Sequence, residues 1–247
     1  MRKDAGVDGD AQRISQMGWM LFLKIFDAKE NDWEISNDDY KSPIPKDLRW
    51  RNWAEDPEGM TGDELLGFIN NSLFPRLKEL KLRNNKDAAR MVRDVFEDSY
   101  NYMKSGTLLR QVINKINEIN FDSQADRHTF NDIYEQILKD LQSAGNAGEF
   151  YTPRAVTQFL VEMVNPQLGE TIIDPACGTG GFLVNSIEHI RKNNKLKTVE
   201  DFEKLQNCIH GVEKKPLPHM LATTNMILHG IEVPSIDHDK NCEKRKS

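Results

Sequence analysis

Two carboxylates and a cluster of glycines are spaced as a ligand cradle. Asp174 precedes Gly178, Thr179, Gly180 and Gly181, and Glu213 lies 213 − 174 = 39 residues beyond Asp174. Glycines let the chain turn sharply and let a ligand approach main-chain N–H groups. An acid at the end of the following strand can accept both hydroxyls of a ribose. The pattern suits an adenosine-bearing cofactor. Minimal dinucleotide sites place the acid about 20 residues beyond the glycines, and the lysine- and asparagine-rich stretch from Lys192 to Lys204 absorbs the longer interval. Two cofactor classes compete. Gly178-Thr179-Gly180-Gly181 lacks the full G-x-G-x-x-G spacing. Asp174 would repel a pyrophosphate but attract a sulfonium cation. The residues therefore favour S-adenosylmethionine over a nicotinamide dinucleotide. Cys177, inside the loop, has no base adjacent in sequence to activate it as a nucleophile. His189, His210, His219 and His229 lack metal-ligand spacing, so no metal site is expected.

The elements that must position these groups follow from periodicity. Thr171-Ile172-Ile173 reads as a short buried parallel strand that Pro175 ends. Leu183, Ile187 and Ile190 recur at helical spacing behind the glycines. A short helix near Asp201–Leu205, a strand over Cys208–Val212, and a helix from Pro216 to Leu228 ended by Gly230 come next, and Ile231-Glu232-Val233 is expected to start a third strand. Ahead of the loop, Thr152 suits an N-cap and Pro153 a first helical turn. The helix they open carries Val156, Phe159, Leu160 and Met163 and is closed by Asn165-Pro166.

No alternating strand pattern occurs before residue 143. Ile14, Met17, Leu21 and Ile25 mark a helix over 11–28. Asn31 to Asp56 reads as irregular, with Trp33, Trp50 and Trp53 as packing anchors. Thr61 and Glu64 form a capping-box pattern opening a helix through Leu80, with a kink or break at Pro75. Further helices are marked by Met91 to Met103, by Leu109 to Ile119 behind a Ser105 cap, and by Phe130 to Leu141. The expected architecture is an all-α N-terminal domain over residues 1–143. An incomplete α/β Rossmann-like domain follows over 144–247, with the boundary in Ser143–Gly148.

Bulk properties narrow the function classes. A net charge of −6 is unlike a stand-alone DNA-binding domain, so phosphate contacts would fall largely to partners. The charged fraction is 29%, and no run approaches the ~18 apolar residues a membrane span needs. Three cysteines without a CxxC pair suit free thiols in a reducing cytoplasm. No apolar signal core follows Met1 to Gly6, so a cytoplasmic protein is expected.

Asp174-Pro175-Ala176-Cys177-Gly178-Thr179-Gly180-Gly181-Phe182 resembles the cofactor loop of the amino-group DNA methyltransferases. Glu149-Phe150-Tyr151-Thr152-Pro153-Arg154 resembles the segment preceding it in modification (M) subunits of type I restriction–modification systems. Arg2 to Asp10, Phe130 to Glu135, Gly211-Val212-Glu213 and Asn225 to Gly230 continue the likeness in order. The resemblance implies a site-specific adenine-N6 DNA methyltransferase using S-adenosylmethionine. In it Glu149, Phe150, Tyr151, Thr152, Pro153 and Arg154 border the methionine end. Asp174, Gly178, Thr179, Gly180 and Gly181 form the main loop, and Glu213 holds the ribose. Asp239 is the nearest match to the acid beside the adenine. It also implies a specificity subunit, a second modification subunit and a restriction subunit as partners, with double-stranded DNA reached through the complex. The family's catalytic Asn-Pro-Pro-Phe does not occur in these residues, and Asn165-Pro166 lies ahead of the loop. The resemblance thus implies an M-subunit fragment or one half of a split subunit, inactive alone. A non-catalytic interaction protein docking a specificity subunit is the alternative.

Overall fold

Apolar residues at helical spacing build the first part of the chain from helices. The computed structural model describes residues 1–36, 38–82, 88–119 and 152–238. Contacts divide the chain into two units, Met1–Glu149 and Phe150–Ser247. The boundary expected near residue 143 and the helix expected over Phe130–Leu141 lie outside the described residues.

In the first unit the order is α1 (Gly9–Ser36), a 3-10 turn (Lys46–Leu48), α2 (Trp50–Trp53), α3 (Gly62–Phe68), a π turn (Ile69–Leu73), α4 (Phe74–Lys78), α5 (Ala88–Glu97) and α6 (Gly106–Asn117). The α1 helix runs eight residues beyond the expected end at 28. Tertiary contacts override the Asn- and Asp-rich signal there. Arg51 bonds Asp27 and Glu34, Arg49 also bonds Glu34, and the Trp33 ring packs 5.8 Å from Phe26 and 5.6 Å from Tyr40. The tryptophans anchor the connecting segment on the helices, as their composition suggested. Trp50 Nε1 donates to Asn117 Oδ1 at 2.8 Å, and Trp53 Nε1 donates to Leu48 O at 3.1 Å.

Several helix expectations differ from the structure. Thr61 is the N-cap of α3, but its side chain makes no capping bond, so the Thr61–Glu64 box is not formed. Of the kink or break expected at Pro75, the structure shows an irregular turn rather than a break. The preceding turn widens to a π turn, which accommodates the N–H that proline lacks. The helix around Met91 stops at Glu97, well short of Met103, and α6 stops at Asn117, short of Ile119. Ser105 does cap α6, accepting from the Leu108 N–H.

The second unit contains α7 (Arg154–Val164), β1 (Ile172–Asp174), α8 (Gly181–Asn193), α9 (Val199–Cys208), β2 (Ile209–Val212), α10 (Pro216–Leu228) and β3 (Ser235–Asp237). The strands are parallel in the order β1-β2-β3, with Ile172 opposite Ile209 and Gly211 opposite Ile236. Leu183, Ile187 and Ile190 of α8 pack with Ile209, Met226 and Ile236 in one core. Strand β1 is less buried than its composition predicts: among the described residues it pairs only with β2, and Ile173 is 64% exposed.

Local capping explains the other differences. Helix α9 extends over ten residues rather than Asp201–Leu205 because Thr198 and Asp201 form a true capping box at its start. The third strand begins at Ser235, not Ile231. Ile231 N–H bonds Met226 O and Gly230 N–H bonds Ile227 O, the paired pattern of a Schellman cap, so buried Ile231 closes α10 instead of opening β3. No helix among the described residues is long and apolar enough to cross a membrane.

Asp4 ties the N-terminal residues to the start of α6. Its carboxylate accepts from the N–H groups of Gly6, Lys104 and Ser105 at 2.8 to 3.0 Å. Burial alone would raise this carboxyl, and the three donors outweigh burial to hold it below the usual carboxylate range. Asp4→Ala is expected to lower stability by about 1–3 kcal/mol near pH 7, leaving buried donors unmet. A depressed folded pKa gives stability that is fully present above the unfolded value of about 3.9 and is lost as pH falls below that value and through the lower folded one. Urea unfolding of both proteins between pH 7 and pH 3 checks this. The gap should narrow on acidification, and a constant gap would contradict it.

Candidate functional site

The loop between β1 and α8 lies across the carboxyl end of β2. Asp174 Oδ1 accepts from the Ala176 N–H at 3.1 Å, turning the chain as β1 ends. Cys177 N–H then bonds Val212 O at 3.0 Å, and Gly180 N–H bonds Cys177 O at 2.8 Å. Gly178 and Gly180 take φ of +56° and +82°, a region that costs other residues strain. Between these turns the Gly178 N–H donates to Glu213 Oε2 at 2.9 Å. The other carboxylate oxygen accepts the Lys215 N–H at 2.7 Å, and Glu213 N–H bonds Asp237 O at 3.0 Å. Glu213 thus joins the loop, the start of α10 and the end of β3.

Three residues that sequence reasoning gave no role make this arrangement possible. Gly211 leaves the space into which the loop folds: a Cβ there would stand 2.9 Å from Leu183 Cδ1 and 3.0 Å from Cys177 Sγ. Asn225, buried on α10, donates from Nδ2 to Thr179 O at 3.2 Å. Ala222, on the same helix, passes close to Gly180. The α10 spacing of 222 and 225 was the available signal, since i and i+3 share a helix face.

The structure therefore brings Asp174, Gly178, Thr179, Gly180, Gly181 and Glu213 together at the carboxyl ends of parallel strands, where ligands of open α/β sheets bind. The family model described as HsdM N-terminal domain matches residues 1–116, and the one described as N-6 DNA Methylase matches residues 125–246. The methylase subunit of the type I restriction enzyme EcoEI from Escherichia coli is 62% identical over 99% of this chain and 50% of its own length. A modification subunit of a putative type I restriction enzyme from Vibrio vulnificus superposes with a TM-score of 0.84 at 43% identity, over 97% of this chain and 53% of that one. A structure described in connection with complex assembly of the type I R-M system superposes at 0.81, with 38% identity over 100% of this chain and 50% of that one.

The chain belongs to the type I modification-subunit family. It spans about half the length of the relatives it matches.

Other expected site residues of this modification-subunit chain are placed differently or lie outside the described residues. Glu149, Phe150, Tyr151 and Asp239 lie outside them. Thr152 does not cap α7. The N-cap is Pro153, whose carbonyl accepts from Val156 and Thr157, so Arg154 is the first helical residue. Arg154 reaches Glu188 of α8 at 3.7 Å. The same Glu188 oxygen meets His229 Nε2 at 3.1 Å, and that bond leads the effects holding the Glu188 carboxyl below its usual range.

Cys177 is unsuited to nucleophilic work. Burial first, then the charges of Asp174 and Glu213, push its thiol up to about 12. Burial pushes His219 down to about 4, which keeps it neutral beside Ile236 O. Among the described residues no group of three or more His, Cys, Asp or Glu could hold a metal ion. Gly211→Val is expected to cost about 1–3 kcal/mol by overpacking, and to make Cys177 more reactive to alkylation below the unfolding temperature. Thermal denaturation with thiol labelling tests this; an unchanged midpoint and unchanged labelling would contradict it.

Proposed function

We propose that this chain is the S-adenosylmethionine-binding portion of an adenine-N6 DNA methyltransferase modification subunit. The Gly178–Glu213 hydrogen bond carries the reading, because it sets the glycine loop and the strand-end acid on one site. The donor set fits the cofactor. Two carboxylates, Asp174 and Glu213, border a backbone turn, which suits a cation with ribose hydroxyls and not a pyrophosphate. Each Glu213 oxygen has a second lone pair to offer a ribose hydroxyl while keeping its bond to Gly178 or Lys215 N–H. Asp174 would face the positively charged methionine end, near which Thr152, Pro153 and Arg154, with Glu149, Phe150 and Tyr151, are assigned by resemblance. Gly178 to Gly181 bring the backbone close. S-adenosylmethionine, when bound, supplies an electrophilic methyl carbon. These residues hold and orient it but do not themselves bring the adenine amine to it, since the family's Asn-Pro-Pro-Phe is absent from the sequence.

In this reading the residues 1–143 and 144–247 are the helical and methyltransferase domains. The wider partners are a specificity subunit, a second modification subunit and a restriction subunit, and DNA is met in their complex. The net charge of −6 supports partners supplying much of the phosphate contact. A reducing cytoplasmic setting is consistent with buried free Cys177 and Cys208.

Calorimetry of the purified chain with S-adenosylmethionine tests the reading. Saturable binding is expected, with Glu213→Ala weakening it about 10- to 100-fold, the range for losing hydrogen bonds to a charged group. Transfer of labelled methyl to adenine by this chain alone is expected to be absent. No binding by folded protein, or tighter binding of a nicotinamide dinucleotide, would overturn the proposal.

A further inference from the structure

A buried polar pair joins helix α7 to the start of α8. The buried residues of α7 are Thr157 and Val161. Thr157 is 3% exposed and meets Asn185 of α8, itself 6% exposed. The direction of their bond follows from the donors at hand. The Thr157 hydroxyl donates to Arg154 O at 2.9 Å, so its oxygen accepts from Asn185 Nδ2. The pair sits beside the glycine loop. A Cβ on Gly181, the first residue of α8, would stand 4.0 Å from Thr157 Cγ2, and Asn185 lies one turn further along the same helix.

A more exposed set of contacts repeats the link further along α8. Arg154 Nη2 lies 3.7 Å from Glu188 Oε1, and the same oxygen meets His229 Nε2 at 3.1 Å. His229 Nδ1 lies 2.9 Å from Asn225 O, and Asn225 Nδ2 donates to Thr179 O in the loop. Arg154 and Glu188 are each about half exposed, and exposed ion pairs contribute little. The Thr157–Asn185 bond is the stronger tie, because breaking it leaves a buried donor unmet. Glu188 is 188 − 181 = 7 residues beyond Gly181, about 10 Å along the α8 axis. The Arg154 guanidinium is therefore drawn along α8, away from the loop. What Arg154 keeps beside the loop is its main chain, whose carbonyl accepts from Thr157.

We propose that Thr157 and Asn185 are positioning residues for the methionine end of S-adenosylmethionine. Their bond fixes the first turn of α7, with Pro153 and Arg154, against the loop glycines, and Glu188 assists from further along α8. The inference rests on the methylase-subunit reading, in which Thr152, Pro153 and Arg154 border that end. Thr157 and Asn185 act through α7 and do not touch the cofactor. The adenosine end is held separately, by Glu213 and the turn at Gly178. Loosening α7 therefore weakens recognition of the methionine portion and spares the adenosine portion, whereas a general loss of structure weakens both.

The test is calorimetry of the full chain with S-adenosylmethionine and with 5′-methylthioadenosine, which lacks the amino-acid portion. Thr157→Val keeps a methyl group against Gly181 and removes the hydroxyl. It is expected to weaken S-adenosylmethionine binding about tenfold, the scale of one lost buried hydrogen bond, and to leave 5′-methylthioadenosine binding unchanged. Thr157→Ser retains the hydroxyl and should bind both compounds as the parent chain does. Glu188→Ala, at a half-exposed position, should lose about twofold for S-adenosylmethionine alone, and it carries the test should Thr157→Val fail to fold by circular dichroism. Unchanged S-adenosylmethionine affinity in these variants, equal losses for both compounds, or a Thr157→Ser chain as weak as Thr157→Val overturns the inference. A folded parent chain that does not bind S-adenosylmethionine overturns the methylase-subunit reading itself, and the inference with it.

Discussion

Gly211 has no side chain, and the carboxyl end of the sheet is built around that space. A Cβ there would crowd both Leu183 at the base of α8 and Cys177 in the glycine loop. With it absent, the loop lies against β2 closely enough for Cys177 N–H to reach Val212 O. That bond aims the next N–H, of Gly178, at Glu213. A position with no functional atom of its own thus controls the spacing of the two groups with most chemistry. Asn225 and Ala222 then hold the loop from α10. Packed interiors tolerate even one added methylene poorly, so the geometry is set by packing as much as by hydrogen bonds.

The same region shows what a sequence can and cannot disclose. Asp174, Gly178, Gly180 and Glu213 were legible because their types report backbone needs and charge directly. Gly211 was legible only as a strand residue. The steric demand on it comes from Leu183 and Cys177, 28 and 34 residues earlier (211 − 183 and 211 − 177), and no local pattern records that contact. Ile231 misled for a related reason. Ile-Glu-Val carries strand propensity, but a residue two beyond a helix C-cap, here His229, can be claimed by the capping motif, and Ile231 N–H is bonded to Met226 O. Thr61 and Glu64 match a capping box in spacing without forming one, whereas Thr198 and Asp201 form one with a shorter acid.

Helix α7 marks a different limit. Its periodicity was read correctly and its apolar face was identified residue by residue, yet the structure turns that face outward. Periodicity reports which side of a helix is to be buried, not what buries it. Among the described residues the second unit therefore satisfies the local rules of its sequence while leaving a global one unmet: a parallel sheet with helices on one face and β1 paired on one side.

The measurement that tests the central claim most directly is the backbone amide spectrum of the isotopically labelled chain, titrated with S-adenosylmethionine. The Gly178 N–H is bonded to Glu213 in the structure, and Gly180 and Gly181 lie on the same turn. The account predicts saturable shifts at these three glycines and at Glu213, and none on titration with a nicotinamide dinucleotide. Unmoved loop glycines in a folded chain, or shifts confined to the helical unit, would contradict it.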